Sequence, residues 1–111
     1  MNPTLFERLA NRIRLDPDRI AQICHVWRVS RLAVFGSALR DDFGPDSDID
    51  LLVTFLPDSE WSLWDIVRMR EELARVFGRP VDLVEESALE NPFFRHEVLR
   101  SKEVIYGVAV S

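Results

Sequence analysis

Arg31-Leu32-Ala33-Val34-Phe35-Gly36-Ser37 and, after ten intervening residues, Asp48-Ile49-Asp50-Leu51-Leu52-Val53-Thr54-Phe55 decide how this 111-residue chain is read. The apolar part of each stretch is short and rich in β-branched and aromatic residues, the mark of a buried strand. The second carries two carboxylates at its start, Asp48 and Asp50, with Ile49 between them. Side chains alternate across a strand, so the two carboxylates face one side and Ile49 the other. Two neighbouring anions repel, and one of them takes up a proton unless a cation balances the pair. A divalent metal resolves that conflict, and carboxylate oxygens suit Mg²⁺. Two Asp residues at an exposed strand end, paired to arginine, would account for the pair alone equally well.

A second feature shifts the balance. Gly36-Ser37 closes the first strand, where glycine lets the backbone approach a ligand closely. The N–H groups of such a turn, with a serine hydroxyl, can hold phosphate oxygens. In isolation the pair signifies only a turn. Arg40, three residues on, can neutralise phosphate charge or simply sit in solvent. The polar segment 40–47, with Gly44 and Pro45, reads as a loop or short helix followed by a turn. The third feature is Asp82 in Pro80-Val81-Asp82-Leu83-Val84, again a carboxylate interrupting an apolar strand. If that strand lies beside the second, three carboxylates could converge: two bridging metals, the third holding the catalytic metal and helping to deprotonate an attacking hydroxyl. The alternative is an edge-strand Asp facing water.

Around these strands the pattern is helical. Leu5, Leu9 and Ile13 recur four residues apart and predict a helix over Thr4 to Arg14. Asp16-Pro17 opens a second, with Asp as cap and Pro at the first helical position. Ile20, Ile23, Cys24 and Trp27 share one face of it, which makes Cys24 a buried packing residue and leaves His25 on the surface. The longest helix is expected over Ser62 to Phe77, with Leu63, Ile66, Val67, Leu73, Ala74 and Phe77 as its apolar stripe and Gly78 as its stop. Val81 to Val84 is a short third strand. Asn91-Pro92 opens a last helix to about Ser101, and Val104-Ile105-Tyr106 adds a fourth strand. Alternating strands and helices predict one small α/β (α+β) domain with a mixed sheet of three to four strands flanked by helices. It would span residues 1–111, with N-terminal helices over 1–28 and a core over 30–107.

Bulk properties narrow the partners. Lys and Arg total 14 against 19 Asp and Glu, a net charge of −5, so the positive excess usual in nucleic-acid binders is absent. One cysteine, Cys24, permits neither an intramolecular disulfide nor a thiol-built zinc cluster. No stretch approaches the roughly 18 uninterrupted apolar residues of a membrane span. Glu7, Arg8, Arg12 and Arg14 interrupt the N-terminal apolar residues, which is not a secretory pattern, so a cytoplasmic location is expected.

Gly36-Ser37, ten residues, then Asp48-Ile49-Asp50 resembles the signature of the DNA polymerase β-like nucleotidyltransferase superfamily. The fuller text, Gly36-Ser37-Ala38-Leu39-Arg40 through Pro45-Asp46-Ser47-Asp48-Ile49-Asp50-Leu51-Leu52-Val53, is similar to its minimal nucleotidyltransferase (MNT) branch. Pro80 to Val84 and Glu103-Val104-Ile105-Tyr106-Gly107 are similar to it too, so the resemblance covers about residues 18 to 107. It implies the nucleotidyltransferase fold and transfer of AMP from Mg·ATP to a hydroxyl, with two Mg²⁺ ions about 3.5–4 Å apart. Carried onto this chain, the resemblance has Asp48 and Asp50 bind both metals. Asp82 would hold the catalytic metal and assist as base, while Gly36 and Ser37 would clasp the triphosphate. Arg40 would contact phosphate, and Ser47 would support the ligands from behind. Two positions depart from the pattern: Asp41 stands where many relatives have glycine, and Ala38 where a basic residue is common. Both make the triphosphate side less positive.

At 111 residues the expectation is that the acceptor is bound largely by a partner or a dimer mate rather than by an extra domain. In the MNT branch the resemblance implies a HEPN-domain ribonuclease toxin, with the MNT protein acting as antitoxin by adenylylating a toxin tyrosine, a type VII-like toxin–antitoxin pair. An antitoxin that neutralises by binding alone, and a nucleotidyltransferase acting on a small molecule such as an antibiotic, are the alternatives. Trp61 and Trp64 near a helix start suit an interaction surface. Packing in the core or at its rim is their ordinary use, and that reading weighs more for Trp64 than for Trp61.

Overall fold

The computed structural model describes residues 9, 13–39, 44 and 46–108, apart from the side chain of Ser37. Most of the helix expected over 4–14 lies outside them. Its two described apolar positions, Leu9 and Ile13, are buried, and the Ile13 N–H donates to the Leu9 carbonyl at 2.9 Å.

The first full helix, α1, spans Pro17–Val26. The Asp16 carboxylate accepts from the Arg19 N–H as its cap, and Ile20 and Cys24 are its buried face. Strand β1 follows over Val29–Phe35, two residues earlier than the apolar run suggested. The strand start is masked in the sequence by Ser30. That residue is buried because its hydroxyl donates to the Thr54 carbonyl at 3.0 Å, so a polar residue meets the burial requirement.

A 3₁₀ turn over Gly36–Leu39 leads away from β1, and β2 spans Ile49–Phe55. The long helix α2 covers Leu63–Phe77. A capping box fixes its start: Ser62 Oγ accepts from the Asp65 N–H, and the Asp65 carboxylate accepts from the Ser62 N–H. Gly78 ends it at φ 73°, and the Arg14 guanidinium donates to the carbonyls of Val76 and Arg75 in its last turn. Strand β3 runs Val81–Glu85, helix α3 runs Pro92–Ser101 behind an Asn91 cap, and β4 runs Glu103–Gly107.

The four strands lie in the order β3-β2-β1-β4. β1 is antiparallel to both β2 and β4, while β2 and β3 are parallel, with α2 as the crossover between them. The sheet is mixed and flanked by helices, as the sequence led us to expect. Alternation sorts its residues onto two faces. Leu32, Val34, Ile49, Leu51 and Val53 join α1 and α2 in the main core, with Met69, Leu73, Val76 and Phe77. Ala33, Phe35 and Leu52 face the other way and meet Leu89 and Val98, the latter on α3. That second core is smaller, so part of this face stays open. Leu51 is fully buried, and truncating such a residue to alanine costs about 2–5 kcal/mol.

The tryptophans reverse the expected ranking. Trp61 packs edge-on against Trp27 at 4.9 Å between ring centres and donates its indole N–H to the Trp27 carbonyl. Trp64 is 75% exposed, because it sits on the first turn of α2 beyond the buried stripe. Rim packing therefore describes Trp61, not Trp64. Among the described residues no helix is long and apolar enough to cross a membrane.

Candidate active site

Register brings the key residues together. Phe35 on β1 pairs with Asp50 on β2, and Asp50 pairs with Asp82 on β3. These three positions form one row across the sheet. Paired residues of adjacent strands share a face, and neighbouring strands lie about 4.8 Å apart. Ile49 and Leu51 belong to the main core, so Asp50 points to the opposite face, the one that α3 covers in part. Asp82 points there as well: both carboxylates line one cavity of about 640 Å³. The floor of this cavity is Phe35, Gly36, Asp50 and Asp82, and α3 supplies a wall through Phe94, Glu97, Val98 and Ser101.

Gly36 is fitted to Asp50. Its backbone sits at φ 72°, a left-handed conformation that side-chain-bearing residues rarely adopt. A Cβ built there would stand 2.2 Å from Asp50 Oδ2 and 3.1 Å from its Cγ. The carboxylate therefore rests in space that only a missing side chain leaves free. The turn it belongs to continues through Ala38, which is fully buried against the main core.

Asp48 lies just ahead of β2 and is exposed, outside the cavity lining. The adjacent Ile49 N–H donates to the Pro80 carbonyl at 3.0 Å and fixes the strand start beside β3. Ser47 is engaged within its own loop: its hydroxyl accepts from the Gly44 N–H, and its own N–H donates to the Gly44 carbonyl. Arg79 donates to the carbonyls of both Gly44 and Ser47 at 3.1 Å, bracing the turn that delivers Asp48. Arg40 and Asp41 lie outside the described residues, as does the side chain of Ser37.

Among the described residues no three His, Cys, Asp or Glu side chains are gathered into a metal-holding cluster. The donors that do meet, Asp50 and Asp82, suit Mg²⁺ in both kind and number. That ion takes hard oxygen ligands and is usually held by one or two carboxylates, with substrate phosphates and water completing its octahedron. The missing side chain at Gly36 is what lets the Asp50 carboxylate lie against the turn that follows β1.

The wall contributed by α3 was not anticipated from the sequence. Phe94 and Glu97 lie one turn apart on the helix, and both face the cavity. The available signal was Phe93-Phe94 directly behind an Asn-Pro helix start, two large apolar residues where a surface helix normally turns polar. Phe93 is 86% exposed and Phe94 51% exposed.

Comparison with known proteins places this geometry in a family. A family model described as a nucleotidyltransferase domain matches residues 18–105. The protein adenylyltransferase MntA of Thermococcus cleftensis is 38% identical over 78 residues, covering 70% of this chain and 74% of that one. A toxin–antitoxin structure with AMP-PNP aligns at a TM-score of 0.67 with 19% identity, over 85% of this chain and 75% of its own. A tri-AMPylated Shewanella oneidensis HEPN toxin in complex with its MNT antitoxin aligns at 0.59 with 18% identity, over 83% and 70%. The two structural likenesses establish the fold, and the family model with the archaeal relative establishes kinship: the chain belongs to the nucleotidyltransferase domain family.

Proposed function

We propose that this chain transfers AMP from Mg·ATP to a tyrosine hydroxyl of a HEPN-domain toxin and acts as its antitoxin. The observation that carries the reading is the register pair Asp50–Asp82, facing one cavity beside the glycine that makes room for it. The relative from Thermococcus is named a protein adenylyltransferase, and the Shewanella structure pairs an AMPylated HEPN toxin with an MNT antitoxin. Both agree with a protein acceptor. The exposed Leu63 and Trp64 on α2 offer apolar surface for a partner.

In this reading Asp50 and Asp82, with Asp48 from the turn ahead of β2, would hold two Mg²⁺ ions. Bound metal would lower the charge barrier around the α-phosphate and stabilise the departing pyrophosphate. The acceptor oxygen forms a bond to the α-phosphorus, the bond from that phosphorus to the bridging oxygen breaks, and pyrophosphate leaves. The acceptor proton passes to the Asp82 carboxylate. Gly36 and Ser37 hold the triphosphate through backbone N–H groups and the serine hydroxyl. Arg40 balances phosphate charge. Ser47 keeps the turn ahead of Asp48 in shape through its bonds to Gly44. Catalysis is then mainly positioning and charge neutralisation.

The test is transfer of label from ATP carrying radioactive α-phosphate to the purified cognate HEPN-domain protein. Label that appears with wild type and disappears with Asp50→Asn supports the reading. No label on the authentic partner, with wild type and variant alike, would sink it.

A further inference from the structure

We infer that Phe94 is the platform on which the nucleotide base stacks and that Glu97 reads the amino edge of that base, a proposal that rests on the nucleotidyltransferase reading of the same cavity. Two unlike groups of side chains line one space of about 640 Å³. One is anionic, Asp50 and Asp82 beside Gly36. The other is apolar and aromatic, Phe94 and Val98 on α3 with Phe35, the cross-strand neighbour of Asp50. A nucleoside triphosphate joins a phosphate chain to a flat ring in one molecule, and the volume lies within the range of pockets for such ligands. A protein acceptor contributes a single side chain and is held by its own surface, so it does not call for both groups.

Phe94 is built for stacking. Its ring lies edge-on to Phe35 at 6.4 Å between centres, while the side chain remains 51% exposed. Asn91 Oδ1 accepts from the N–H groups of both Phe93 and Phe94, at 3.0 and 3.1 Å, so the first turn of α3 is capped and the ring is carried on a fixed backbone. Arg95 adds a bond from its guanidinium to the Glu86 carbonyl, tying the helix start to the chain behind β3. Holding the ring in place beforehand reduces the ordering cost of binding. Glu97, one turn further on, faces the same cavity. Its carboxylate accepts from Arg100 at 2.6 Å and retains lone pairs for a second donor. The exocyclic amine of adenine is such a donor. Phe93 does not line the cavity and is 86% exposed, so it takes no part in the platform.

Isothermal titration of the full chain with Mg·ATP and with Mg·tripolyphosphate, which lacks base and sugar, separates the two contributions. Stacking on an aromatic side chain is worth enough for Phe94→Ala to weaken Mg·ATP about tenfold or more. Tripolyphosphate affinity should stay within about twofold. Phe94→Tyr should restore ATP affinity, and Glu97→Ala should cost ATP more than purine riboside triphosphate, which has no amino group. Equal ATP affinity in wild type and Phe94→Ala would overturn the proposal, as would equal loss for ATP and tripolyphosphate. A change confined to the KM of the protein acceptor would assign the ring to the acceptor and overturn it too. If wild type binds neither ligand, the nucleotidyltransferase reading itself falls, and this inference with it.

Discussion

Gly36 and Asp50 occupy space that neither could share with a larger neighbour: a Cβ on Gly36 would stand 2.2 Å from Asp50 Oδ2. Gly36→Ala therefore acts twice. It places a side chain at φ 72°, which costs about 1–2 kcal/mol in the left-handed region, and it drives the Asp50 carboxylate out of the row it forms with Asp82. We expect a modest drop in melting temperature and a loss of AMP transfer far larger than that drop explains. Thermal unfolding and initial-rate assays on one preparation check both. A variant that keeps full transfer would show that the carboxylate is free to work elsewhere.

Asp82 offers a cleaner separation of chemistry from folding. Its side chain is exposed on β3, and asparagine keeps its shape while removing charge and basicity. Asp82→Asn should leave stability within about 0.5 kcal/mol. It should reduce the transfer rate by about 10²–10⁴, the usual contribution of a positioned base. Rates within a few fold of wild type would remove Asp82 from the site.

The capping box of α2 sets a stability expectation with a pH sign. Two bonds with Ser62, foremost the one accepted from its backbone N–H, hold the Asp65 carboxyl below its ordinary value, with Arg68 assisting. A carboxyl depressed in the folded state stabilises above its unfolded value of about 3.9, and that contribution fades as pH falls through the folded value. Ser62→Ala should cost about 1 kcal/mol at neutral pH. Asp65→Asn removes the titrating carboxylate, so the stability gap between wild type and that variant should narrow in acid, below about pH 4. A gap that widens there would contradict the assignment.

Cys24 is fully buried, and burial pushes its thiol up to about 12. It should resist thiol reagents at pH 8 in the native protein and react readily once unfolded. A thiol raised in the folded state contributes stability below its unfolded value of about 8.5. That contribution is lost as pH climbs toward about 12. Fast labelling of the native protein would show that α1 opens locally.

Much of this was legible in the residues. Alternation along β2 exposed the oddity of Asp50, because a carboxylate between Ile49 and Leu51 has to leave the core. The openings of α1 and α3 were readable from Asp16 and Asn91, and the stop of α2 from Gly78. Three things were not. Ser30 hid the start of β1, since its burial depends on a bond to Thr54 across the sheet. The ranking of Trp61 and Trp64 turned on a contact with Trp27 that joins distant segments. The periodicity of α3 could not reveal that it closes over the carboxylate face, because a helix pattern says which side is buried and not against what. Asp48, read as the first residue of β2, stands just ahead of it, held by a turn that Ser47 and Arg79 organise.

The central claim, that Asp50 and Asp82 form a magnesium-dependent site for AMP transfer, is tested most directly by one labelling series. The cognate HEPN-domain protein is incubated with ATP labelled at the α-phosphate and with wild type, Asp50→Asn or Asp82→Asn, with Mg²⁺ or with excess chelator. The account predicts label on the partner only with wild type and Mg²⁺. Label that persists in chelator, or that survives either substitution at wild-type rate, would contradict it.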